Sequence, residues 1–224
     1  MDIPDPEPRR DMASTVERFA SLGVNCEFGL VQRWCGIEPL GLLRFGLAPL
    51  EGLITALNTS FAGIDEVGLF ETTLGWGDEY VIEHALYGFE FHTGIRKGMP
   101  DTAGLVRKFV NDRFPLLTRM LREDLATGDK LLVFRAEEAG RDAEASRLLA
   151  AIRGRGRGPA TLLWVTKAND PAQVGTVRRM GDGLLVGYLD RLASLRDARA
   201  LSFEPWLAVC TAAAALWQDA RPPR

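Results

Sequence analysis

Two nearly continuous apolar runs, Leu131-Leu-Val-Phe134 and Thr161-Leu-Leu-Trp-Val165, constrain this chain more than any other feature. A strand with one face in water alternates apolar and polar side chains, so unbroken runs such as these must be covered on both faces. The segment between them carries a helical pattern over 141–152, which makes the three pieces a strand–helix–strand unit. Similar pieces recur along the chain. Phe19 to Leu22 reads as a first strand, and Asn25 suits the N-cap of a helix over 26–34. Leu40 to Phe45 reads as a second strand weakened by Gly41. Pro49 opens a helix whose Leu50, Leu53, Ile54, Leu57 and Phe61 repeat with helical period.

Residues 66–93 differ, because short β-rich pieces separated by Gly and Asp suggest a meander. From Asp101 as N-cap, a long helical pattern runs to Leu125, and Pro115 should kink or split it near Phe114. Leu184 to Tyr188 reads as another strand, and a last helix starts after Ser202 with Phe203, Trp206, Leu207, Cys210, Ala214 and Trp217 on one face. The expectation is one α/β domain over 13–220, with a mixed, mostly parallel sheet covered by helices and a short β meander near 66–93. Residues 1–12, rich in acids, arginines and prolines, are expected to form a loose arm.

Composition narrows the function classes. With 224 residues, 46% of them hydrophobic and 25% charged, the chain can bury a full core without disulfide or metal staples. The formal charge of -3 offers no field for a polyanion, so nucleic acid is not an expected partner. Arg153-Gly-Arg-Gly-Arg-Gly-Pro159 lacks interleaved aromatic residues for base stacking and reads as a basic loop. No stretch reaches the roughly 18 apolar residues of a membrane span, and the N-terminal residues lack the apolar run of a signal peptide, so a cytoplasmic location is expected. Three cysteines (Cys26, Cys35, Cys210) without a C-x-x-C pair argue against a disulfide scaffold and a zinc site, and no metal is expected. Gly181-Asp-Gly183 lacks the Lys-Ser/Thr of a phosphate-binding loop and no G-x-G-x-x-G opens a helix, so no cofactor is expected.

The segment Ser21-Leu-Gly-Val-Asn-Cys26-Glu-Phe-Gly-Leu30 carries the strongest chemical signal. It places a thiol at the start of a helix, directly after a strand and a glycine turn. Unpaired N–H groups of a first helical turn favour a thiolate and can bind an oxyanion; the carboxylate of Glu27, next in sequence, opposes the thiolate. The plainer reading is a small buried cysteine at a strand–helix junction. A base would favour chemistry, and the two histidines, His84 and His92, both lie in the meander. His92 should emerge where a strand opens into a loop, whereas His84 reads as a hydrogen-bonded or solvated surface residue. An orienting third member would be Thr93, Asp101, Asn111 or Asp112, Asp101 competing with its role as helix cap. Arg44, Arg107 and Arg135 form a second group. Arg44 and Arg135 end expected strands, where arginine suits a carboxylate or phosphate and Asn25 can contribute a further ligand contact.

The run SLGVNCEFGLVQRWCGIEPLGLLRF, followed by YGFEFHT and by LLVFR, resembles an uncharacterised bacterial family of papain-like cysteine peptidases over roughly residues 18–136. The resemblance implies a nucleophile at Cys26 and a histidine partner at His92. It departs from the family's Pro-Phe-Asp-Trp at Leu42 to Phe45, and from its His-Asp at His92-Thr93, which leaves the imidazole without the neighbouring carboxylate. The expected function is a thiol hydrolase or acyl-transferase acting on a small-molecule or peptide substrate. The alternative is a non-catalytic domain that binds a sugar or nucleotide-linked ligand through Arg44 and Arg135, associated with envelope polysaccharide machinery.

Overall fold

The computed structural model describes residues 7–136, 142–154, 160–194, 197 and 200–219. In chain order they form α1 (Ala13–Val16), β1 (Phe19–Ser21), α2 (Glu27–Trp34), β2 (Gly46–Leu47), α3 (Leu50–Asn58), β3 (Phe70–Leu74), β4 (Glu79–His84), β5 (Phe89–Arg96), α4 (Thr102–Lys108), α5 (Phe114–Thr127), β6 (Leu131–Arg135), α6 (Asp142–Arg153), β7 (Thr161–Lys167), β8 (Val177–Gly181), β9 (Leu184–Leu189) and α7 (Phe203–Asp219). Five strands build one sheet in the order β1-β6-β7-β9-β8, parallel except for β8. The other four build an antiparallel sheet in the order β2-β5-β4-β3. The molecule is a single α/β domain.

Both apolar runs become central strands, β6 and β7, buried on both faces. Their side chains alternate between two cores, as a pleated strand requires. Leu132, Phe134, Leu162 and Trp164 join α3, α5, α6 and the antiparallel sheet. Leu131, Val133, Leu163 and Val165 join α1, α2 and α7 on the opposite face. Phe134 and Trp164 stack with ring centroids 5.1 Å apart.

Differences from the sequence reading have physical causes. Leu40 to Phe45 form no strand; the chain turns there, because Arg44 folds back beneath α2, and only Gly46 and Leu47 pair with β5. The long helical pattern from Asp101 is interrupted before Pro115 by a π-helical turn, Phe109–Arg113. The polar edge strand β8 gave no apolar signal; it pairs with β9 alone. Part of the expected loose arm is held down: Arg9 N–H donates to the Trp34 carbonyl at 2.9 Å and its guanidinium pairs with Asp11 and Glu204. Residues 1–6 and 155–159, the latter covering most of the basic loop, lie outside the described residues. No helix among the described residues is long and apolar enough to cross a membrane.

One polar cluster joins the layers. Glu27, in the first turn of α2, is fully buried, and Arg135 at the end of β6 donates to its Oε2 at 2.8 Å. Trp206 on α7 donates to Oε1 at 2.9 Å. The remaining Arg135 nitrogens donate to the carbonyls of Ala136 and Ala193. Burial pushes the Glu27 carboxyl above the ordinary carboxylate range, while Trp206 and Arg135 pull it back. Removing one partner leaves the other as a buried unpaired charge, so Glu27→Ala should cost about 3–5 kcal/mol in urea unfolding. The double variant Glu27→Leu/Arg135→Met should cost less than Glu27→Ala. In the cycle completed by the single variants Glu27→Leu and Arg135→Met, additive losses would show that the pair is uncoupled.

Candidate active site

Cys26 stands where the chain leaves β1 for α2, and the backbone there is unusual. Gly23 (φ +94°) and Val24 (φ +76°) both adopt the left-handed region, which is rare for a β-branched residue. A Cβ on Gly23 would lie 2.7 Å from Cβ of Ala48, so glycine is required by space as well as by conformation. Val24 is buried in the core, and that burial offsets its backbone strain. Asn25 Oδ1 accepts from the Glu27 N–H at 3.0 Å, so α2 begins one residue later than expected and Cys26 itself occupies the N-cap position. The neighbouring Glu27 side chain enters the core, leaving Cys26 half-buried.

His92 comes from β5, whose side chains alternate strictly between buried and exposed. His92 falls on the exposed face, opposite Val81 of β4. Two residues before Val81, beside an irregularity in the β4–β5 register, Glu79 reaches the imidazole: Oε2 lies 3.2 Å from His92 Nδ1. Its other oxygen accepts from the Gly94 N–H at 2.8 Å, which fixes the carboxylate as well. With Nδ1–H directed to Glu79, Nε2 is the ring nitrogen left to accept a proton.

A cleft of about 740 Å³ brings these groups together, lined by Cys26, Glu79 and His92. Leu42, Phe45, Phe91 and Phe109 contribute apolar wall. Among the described residues no hydrogen bond joins the thiol to the imidazole. Burial, with a smaller push from the Glu79 charge and opposed by Arg33, raises the Cys26 thiol to about 11. The expected effect of the helix start is therefore outweighed by desolvation, and Cys26 is a thiol near neutral pH. A thiol of this kind needs a base to become a nucleophile, and His92 is the imidazole that lines the same cleft.

The other expected site residues fall as follows. The Thr93 hydroxyl lines the cleft but is spent on the backbone, donating to the Tyr80 carbonyl at 2.6 Å and accepting from the Ile95 N–H at 3.0 Å. Asp101 caps α4 by accepting from the Gly104 N–H, while Asn111 and Asp112 are exposed on the π-helical turn; none of the three lines the cleft. Asn25 is buried, and its amide nitrogen has no hydrogen-bond partner among the described residues.

Arg44 and Arg135 need correction as ligand-binding groups. Every guanidinium nitrogen of Arg44 is engaged, by Gln32, Glu38 and the carbonyls of Gly29, Ile37 and Pro39, and Arg135 is consumed in the Glu27 cluster. Arg107 is exposed on α4. His84 is no surface residue: it is buried, bonded to the Gly63 carbonyl at 3.0 Å and stacked on Tyr87. Cys35 and Cys210 are packed in the core. Among the described residues no three His, Cys, Asp or Glu side chains gather to hold a metal ion.

Glu79 was missed because a papain-like order directs the search to residues after the histidine. Hairpin register was the available signal. A tight turn near Leu86 to Gly88 pairs Val81 with His92, and residues two apart on one strand share a face.

These electrostatics fix a pH profile. The iodoacetamide alkylation rate of Cys26, followed by peptide mass spectrometry, should keep rising from pH 7 through pH 10, where an ordinary thiol levels near about 8.5. Glu79→Gln should shift the profile to lower pH, and Arg33→Ala to higher pH. A plateau already reached at pH 7 would contradict the raised thiol.

In comparisons with known proteins, no family model, no curated protein and no solved structure matches this chain.

Proposed function

We propose that the protein is a cysteine-dependent hydrolase or acyl-transferase working through Cys26, His92 and Glu79. The observation that carries this reading is a carboxylate-held imidazole on the same cleft as a half-buried thiol. The Cys-His resemblance over residues 18–136 points the same way, and Glu79 supplies the carboxylate that Thr93 does not. Because the thiol is raised, proton removal and attack belong to one step. His92 Nε2 takes the thiol proton as Sγ bonds to the substrate carbonyl carbon, and the carbonyl π electrons move to oxygen. Backbone N–H groups at the start of α2 stabilise that oxyanion. As the tetrahedral adduct collapses, the bond to the leaving group breaks and the imidazolium returns a proton to it, leaving a thioester on Cys26. Water or a second acceptor, deprotonated by His92, then attacks the thioester carbonyl, the C–S bond breaks as the acyl group leaves on that acceptor, and the imidazolium returns the proton to Sγ of Cys26. Glu79 holds the imidazole in place through both half-reactions.

The described cysteines are free thiols, which suits a reducing compartment such as the cytoplasm. The rival binding module lacks its main support, since Arg44 and Arg135 are both engaged by protein groups.

Stopped-flow hydrolysis of p-nitrophenyl acetate tests the reading. The protein should release one p-nitrophenolate per chain in a burst that Cys26→Ser abolishes. His92→Ala should slow acylation by roughly 10²–10⁴, and Glu79→Gln should slow it although it lowers the thiol pKa. Turnover that survives Cys26→Ser, or Glu79→Gln accelerating acylation, would reject it.

A further inference from the structure

The cleft contains more charge than the acyl-transfer chemistry uses. Arg33 and Arg44 are both paired with Glu38, and Glu79 is divided between His92 and Gly94. Two charged groups on the cleft, Arg113 and Asp197, then have no ion-pair or hydrogen-bond partner for their charged side-chain atoms among the described residues. They are not equivalent. Arg113 closes the π-helical turn that interrupts the α4–α5 pattern, and its guanidinium carbon lies 5.1 Å from the centroid of the Phe109 ring. Such stacking desolvates one face of the guanidinium while leaving its planar edge able to bond an anion. Asp197 has backbone contacts to Ser194 and Ala200, but no comparable platform.

Around Arg113 the wall is apolar. Phe91, Phe114 and Leu117 are buried lining residues, and Leu40, 55% exposed, stands on the same cleft. A π-helical turn is an interruption that tends to mark function; here it ends on the cation and stacks it on the Phe109 ring, which in turn packs against Phe114 at 5.5 Å between ring centroids.

We propose that Arg113 is a specificity residue and that the substrate's acyl arm is apolar and ends in a carboxylate, held by the Arg113 guanidinium while the arm lies against Phe109 and Leu40. The proposal rests on the acyl-transfer reading for the word substrate, but the carboxylate site itself does not require catalysis. Bidentate pairing of a carboxylate with a stacked arginine gives selectivity over a neutral or cationic end group.

Calorimetry with the full chain tests the site. 4-Phenylbutyrate should bind about tenfold or more tightly than the neutral 4-phenylbutanol, Arg113→Gln should remove that preference, and Arg113→Lys should restore part of it. Equal affinity for the two probes, no binding of the carboxylate, or a preference surviving Arg113→Gln would overturn the proposal. Tighter binding of 4-phenylbutylamine would also overturn it, assigning selectivity to Asp197. A kinetic arm compares mono-p-nitrophenyl adipate with its methyl ester: kcat/KM should favour the free acid about tenfold, and Arg113→Gln should bring the ratio near one. If ester turnover survives Cys26→Ser while the carboxylate preference stands, the catalytic reading fails alone; Cys26-dependent turnover without the preference removes Arg113 alone.

Discussion

The fully buried carboxylate of Glu27, 2.8 Å from Arg135 and 2.9 Å from Trp206, binds together the start of α2, the end of β6 and the first turn of α7. Two charges leave water there, so the cluster exists only where the surrounding donors and acceptors are complete. Arg135 meets that condition by giving its remaining nitrogens to backbone carbonyls. A consequence is positional. With Glu27 drawn inward and Gly23-Val24 held in left-handed conformations, Cys26 has little freedom at the strand–helix junction. The residue that sequence reasoning set against thiol chemistry is the one that anchors the thiol.

The antiparallel sheet contributes the other half of the cleft. Strict alternation along β5 separates the ends of the YGFEFHT run: Phe89 and Phe91 enter the core, while His92 faces out. Glu79 then fixes the ring through a hairpin contact. The resulting thiol is less acidic than a free cysteine. In the proposed chemistry, base-assisted attack would take the place of a preformed thiolate–imidazolium pair; the carboxylate of Glu79 holds His92 and at the same time penalises the thiolate of Cys26.

Much of the fold was legible because its central strands are buried on both faces, a condition written directly into Leu131–Phe134 and Thr161–Val165. Proline likewise marked the interruption before α5, though not its π-helical form. Features set by tertiary context were not legible. Leu42 and Leu43 are buried yet belong to a turn, since apolar content alone does not separate strand from packed loop. Strand β8 is polar because it forms an edge. In the site, Cys26 and His92 were readable as a candidate thiol and imidazole, and both line the same cleft. Glu79 was hidden by chain order, and the rise in the thiol pKa by desolvation, which no local sequence encodes. Arg44 and Arg135 ended expected strands as ligand residues would, yet their nearest anions and carbonyls were internal.

The account rests on a sulfur and an imidazole held across one cleft by separate parts of the chain. Treatment with 1,3-dibromoacetone, a short bifunctional alkylating agent, followed by peptide mass spectrometry, measures this directly. The account predicts one bridge joining the peptides that carry Cys26 and His92, lost in His92→Ala. Single-ended modification of Cys26 with no bridge to His92, under conditions where the fold is intact, would contradict it.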